Sequence, residues 1–162
     1  MNRQRMNYIF DNDIDEVYMF FKHPVLYAKI HPNFVSNMVC LKGTDSLDSL
    51  GSVFRYSYKK EIQIEFRVEE VINTQHYKMI RMYYYNVDPT DYRYNLIYRF
   101  YNISAEGKTL FTHELIFDTI DAFNFHEMVF NYEDMIECFN TIQTIINAHL
   151  IKTHTEAVII DK

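Results

Sequence analysis

The sequence predicts an α+β protein in which a curved antiparallel sheet wraps around a long C-terminal helix. Three observations predict it. Apolar and polar side chains alternate with period two in run after run between residues 34 and 119, the pattern of half-buried antiparallel strands. From residue 125 to 152 apolar residues recur in steps of three and four, the pattern of a helix with one buried face. The 14 Tyr and 13 Phe, set against three Gly and three Pro, favour packed strands and exclude disorder.

The elements follow in order. Residues 5–10 form an opening strand. Asp13 followed by Glu16 reads as a capping box, and the helix after it sets Ile14, Val17, Tyr18 and Phe21 on one face. His23-Pro24 interrupts this helix. A second short helix spans 25–30, with Pro24 in its first turn. His31-Pro32 ends it, because a residue before proline avoids the helical region. Residues 34–42 form a strand, and 42–50, with Gly43, Asp45, Ser46, Asp48 and Ser49, form a loop.

Residues 52–59 alternate Phe54, Tyr56 and Tyr58 with Arg55, Ser57 and Lys59. Residues 62–69 alternate Ile62, Ile64, Phe66 and Val68 with Gln63, Glu65, Arg67 and Glu69. Residues 73–75 turn the chain. Residues 77–87 form a long strand whose two faces are almost equally apolar. One face carries Tyr77, Met79, Arg81, Tyr83 and Tyr85, the other Ile80, Met82 and Tyr84. After a turn at 88–91, residues 92–103 set Tyr94, Leu96, Tyr98 and Phe100 against Arg93, Asn95 and Arg99. A hairpin loop at 105–108 leads to a last strand, 109–119, with Phe111, His113, Leu115 and Phe117 on one face. The terminal helix, capped by Asp121 or Asn124, is a rod of roughly 42 Å. Its stripe includes Phe125, Met128, Val129, Tyr132, Met135, Ile136, Phe139, Ile142, Ile146 and Leu150. Asn140 and Asn147 are expected outside that stripe.

Length and charge narrow the function. At 162 residues one domain, 1–162, is expected, with no repeat or linker. A net charge of −6 and scattered Lys and Arg argue against nucleic acid. No apolar run approaches membrane-spanning length. The first ten residues lack a signal-peptide core, and Asp11, Asp13, Asp15 and Glu16 argue against a transit peptide. Cys40 and Cys138 make no disulfide framework, so a cytoplasmic location is expected. The seven histidines show no zinc spacing, and no nucleophile elbow, P-loop or dinucleotide motif occurs. No metal, cofactor or catalytic residue is therefore assigned.

The segment IDEVYMFFKHPVLYAKIHP, with Val17-Tyr18, His23-Pro24, Tyr27 and Pro32, resembles the opening helix pair of the START-like (SRPBCC, helix-grip) superfamily. Gly51 opening GSVFRY is similar to the start of that family's third strand. The resemblance extends over about residues 5–155. It includes the pollen-allergen-like and polyketide cyclase/dehydrase-like proteins. The 42–50 segment departs from the glycine-rich loop of the pollen-allergen branch. The resemblance implies a helix-grip fold with a cavity for an apolar small molecule or lipid between sheet and helix.

The ligand-binding candidates follow from that implied cavity. On the expected inward faces they are Phe54, Tyr56, Tyr58, Phe66, Arg81, Tyr83, Tyr94, Tyr98, Phe111, His113 and Phe117, joined by Met128, Tyr132, Met135 and Phe139 from the helix. Aromatic and Met side chains suit an adaptable apolar pocket, and the same rings could equally fill a closed core. His113 and Arg81 could together orient a carboxylate or carbonyl. In the competing reading Arg81 points outward and His113 bonds a neighbouring Tyr in the core. The expected partner is a hydrophobic small molecule or lipid. The alternatives are a protein-interaction scaffold on the same fold and a cyclase- or dehydratase-type enzyme.

Overall fold

The computed structural model describes residues 2–24, 35–103, 107–129 and 132–160. The helix expected at 25–30 lies outside them. The chain runs β1 (Arg3–Phe10), α1 (Ile14–Lys22), β2 (Val35–Lys42), β3 (Val53–Tyr58), β4 (Ile62–Asn73), β5 (Tyr77–Asp88), β6 (Tyr94–Ile103), β7 (Lys108–Phe117), α2 (Ile120–Val129) and α3 (Tyr132–Ile160). The strands form one antiparallel sheet in the order β1-β7-β6-β5-β4-β3-β2. The chain thus returns at its end to the strand with which it began.

Local chemistry sets the elements. Asp13 Oδ1 accepts the Glu16 backbone N–H at 3.0 Å and caps α1. The helix buries Ile14, Val17, Tyr18, Phe20 and Phe21 against the sheet. Gly43 has φ +85°, and a Cβ there would stand 2.6 Å from Ser52 Oγ. The Ser52 hydroxyl in turn donates to Thr44 O and accepts its N–H, which closes the β2–β3 connection.

Bulges curve the sheet. Register shifts between Glu65 and Phe66 and between Val68 and Glu70 each insert a residue, which bends a strand and switches its facing parity. Val68 and Val71 consequently both pack on the core although they differ in parity. This is why β4 reaches Asn73, beyond the expected end of the regular alternation.

The terminal helical region comprises α2 and α3, on either side of residues 130–131, which lie outside the described residues. Thr119, rather than Asp121 or Asn124, is the cap: its hydroxyl accepts the Ala122 N–H at 3.1 Å. Helix α3 buries Cys138, Phe139, Ile142 and Ile146. Beside this stripe runs an amide ladder. Tyr8 Oη donates to Asn140 Oδ1 at 2.6 Å, and the Asp11 N–H donates to Gln143 Oε1 at 2.7 Å. Gln143 Nε2 donates to Asn12 Oδ1 at 2.7 Å and to Asn147 Oδ1 at 3.1 Å. Asn140 and Asn147 lie outside the apolar stripe, as expected, and from there help hold the helix to the β1–α1 corner.

Candidate functional site

The concave face of the sheet is built of rungs, in which inward side chains stand opposite one another across the strands. One rung is aromatic throughout. Phe54, Phe66, Tyr84, Tyr94 and Phe117 pair in register from β3 to β7. Ring centroids are 5.3, 4.8, 4.7 and 5.3 Å apart, and the first three pairs lie within 20° of parallel. Cross-strand aromatic pairs of this kind contribute roughly 0.2–1 kcal/mol each. His126 on α2 lies over this rung, 5.0 Å from Phe117 and 6.1 Å from Tyr94. Burial pushes its pKa down to about 4.

The next rung is aliphatic from β4 to β7, with Val68, Met82, Leu96 and Leu115, and ends at Gln4 of β1, whose Oε1 is buried without a hydrogen-bond partner. The third holds Ile80, Tyr98, His113 and Met6, and the fourth Lys78, Phe100, Phe111 and Tyr8. Helix α1 covers the third and fourth rungs. Phe21 stacks on Phe111 with centroids 4.5 Å apart, and Phe139 of α3 meets Phe111 edge-on at 5.5 Å. Lys78 closes this end from below. Its ammonium reaches Asn73 Oδ1, Thr74 O at 3.1 Å and Asp15 Oδ1 at 3.2 Å, over the Tyr18 ring. Burial, with Asp48 as the next cause, holds the Tyr18 hydroxyl well above the usual tyrosine range.

The expected site residues divide clearly. Phe54, Tyr56, Tyr58, Phe66, Tyr94, Tyr98, Phe111, His113, Phe117 and Phe139 are all buried, and Met135 packs partly buried on the same core. The side chains of Met128 and Tyr132 lie outside the described ones. Arg81 and Tyr83 correct the expectation, because they lie on the outer face. Arg81 Nε donates to Glu70 Oε2 at 3.2 Å and its Nη1 to Asn95 Oδ1 at 3.1 Å. Tyr83 Oη donates to Asp118 Oδ2 at 3.2 Å. An inward Arg81 would strand a charge among apolar rings, so β5 turns Ile80, Met82 and Tyr84 inward instead. Arg81 and His113 consequently stand on opposite sides of the sheet and cannot orient one ligand group together.

Ile80, Met82, Tyr84 and His126 are among the inward residues that sequence reasoning missed. The signal for Tyr84 was Arg81 itself, whose charge disqualifies its face of an otherwise ambiguous strand. The signal for His126 was its spacing of four from Ala122, which is also buried. On the outer face Arg55, Gln63, Glu65, Asn86 and Asp88 line a polar groove of about 300 Å³. Arg55 fills its charge requirement within the groove by pairing with Glu65 at 2.8 Å.

This seven-stranded, curved sheet gripped around C-terminal helices is shared with solved proteins. A hypothetical protein of Helicobacter pylori superposes with a TM-score of 0.74 at 11% identity, over 89% of this chain and 87% of that one. The chain has the helix-grip fold. Other helix-grip neighbours agree. Norcoclaurine synthase from Thalictrum flavum, solved with dopamine and hydroxybenzaldehyde, gives a TM-score of 0.69 at 9% identity, over 91% and 87% of the two chains. The major latex-like protein 151 of Panax ginseng gives 0.61 at 13% identity, over 91% and 95%. No protein-family model matches the sequence, and no curated protein matches it. Among the described residues no helix is long and apolar enough to cross a membrane.

Proposed function

We propose that this helix-grip chain, acting as one domain, binds or carries a hydrophobic small molecule or lipid between the concave sheet and the C-terminal helices. The observation that carries this reading is the aromatic rung. Five strands commit Phe or Tyr to one continuous inward row, and the neighbouring rung is aliphatic from β4 to β7, with Gln4 of β1 as its one polar member. Such a wall offers dispersion contact and ring edges without charge, which suits an apolar guest. The norcoclaurine synthase complex, with its two small aromatic molecules, is support from the same fold. Cys40 and Cys138 form no disulfide, which accords with the cytoplasm as its place of action.

The test is native mass spectrometry of the protein purified from its own source, followed by solvent extraction of whatever it carries. One equivalent of a hydrophobic molecule is the expected result. A preparation that binds no hydrophobic probe and holds a protein partner overturns it. That second result belongs to the scaffold reading, which one observation favours: ring packing already fills the interior under α1.

A further inference from the structure

We propose that Phe21, stacked on Phe111, is a plug that sets the upper size limit of the ligand. The inference rests on the binding reading above and deepens it.

The geometry of α1 carries it. Phe21 is 2% exposed and stands in the interior, one residue before the helix ends at Lys22. Its ring lies 4.5 Å from Phe111, tilted by only 23°. It meets Phe10, Tyr98 and Phe100 edge-on at 5.9, 5.2 and 5.5 Å. Phe111 meets Phe139 from the opposite side. Helix α1, strands β1, β6 and β7, and helix α3 are therefore joined ring to ring. These separations are those of aromatic rings in contact, so no guest fits between them.

The plug occupies a defined level. Tyr98 lies four residues along β6 from Tyr94 of the aromatic rung, which is roughly 13 Å at strand rise. Between the two levels lies the aliphatic rung of Val68, Met82, Leu96 and Leu115. A guest resting on the aromatic rung and extending over the aliphatic one meets Phe21 and Phe111 next. A shorter side chain at 21 leaves the level open, and rings removed from apolar interiors leave voids that accept benzene-sized guests.

The test is a chain-length series. Straight-chain alkanols from butanol to dodecanol are titrated by calorimetry into wild type, Phe21→Ala and the milder Phe21→Leu, with folding checked by circular dichroism. If Phe21→Ala does not fold, Phe21→Leu and Phe111→Leu carry the comparison. In wild type, affinity rises about fourfold per methylene and then stops rising. In Phe21→Ala the limit moves to alkanols longer by roughly three methylenes or more. An unmoved limit in the folded variants overturns the plug and leaves the binding reading intact. If wild type binds none of the series and Phe21→Ala gains binding, the ring merely fills a closed core, and the size limit falls together with the binding reading. If neither binds, both fall.

Discussion

His126 makes the stability of this protein depend on pH in a window that its burial defines. The side chain is 7% exposed and lies against the Phe117 and Tyr94 rings. Burial lowers its pKa from 6.5 to about 4. Above pH 6.5 the imidazole is neutral in both the folded and the unfolded chain, and it adds no slope. Between pH 6.5 and 4 the unfolded chain takes up a proton that the folded chain refuses. Stability then falls by about 1.4 kcal/mol per pH unit, on the order of 3 kcal/mol across the window. Below pH 4 both states are protonated and the slope ends. The perturbation is His126→Gln, which keeps a polar group without the titration. Urea unfolding of wild type and variant at closely spaced pH values gives the difference in free energy, in which the titrations common to both cancel. That difference should be flat above neutrality and fall steadily towards pH 4. A pH-independent difference would refute the burial argument, because it would mean that the imidazole is equally easily protonated in both states.

Other predictions follow from single features. Gln143→Ala removes the centre of the amide ladder, whose groups are open to water, and should cost about 1–2 kcal/mol in urea unfolding; a loss near zero would mean that water replaces the ladder at no cost. Lys60 is held at φ 65°, so Lys60→Gly should stabilise by about 0.5–1 kcal/mol, read as a raised melting temperature; a lowered one contradicts the strain argument. Arg81→Ala breaks an outer-face pair and should cost under about 1 kcal/mol while leaving hydrophobic-probe affinity unchanged. A large loss of probe affinity in that variant would return Arg81 to the interior.

The sequence showed most clearly what period and composition control. Residues 62–69 alternate so regularly that Ile62, Ile64, Phe66 and Val68 could be faced inward at once, and all four are buried. The order of elements and the inward faces of β3, β6 and β7 were legible for the same reason. β5 was not, because its two faces are almost equally apolar, and hydropathy cannot break that tie. Cross-strand pairing breaks it: Glu70 and Asn95 flank Arg81 on the outer face, and Tyr84 completes the rung between Phe66 and Tyr94. The parity switches at Tyr85 of β5 and Glu69 of β4 were also hidden, since a bulge leaves no hydrophobic signature. Asn140, Gln143 and Asn147 did carry a sign, a spacing of three and then four, which is obscured when only apolar residues are counted.

The central claim is that an apolar guest lies against the aromatic rung. Intermolecular nuclear Overhauser effects between a bound hydrophobic probe and assigned aromatic ring protons test it most directly. The account predicts contacts from the probe to Phe54, Phe66, Tyr84, Tyr94 and Phe117. It predicts none to Tyr77, Tyr83 or Tyr101 on the outer face. A probe that binds and contacts only the outer tyrosines, or that reaches no ring of the rung, would contradict it.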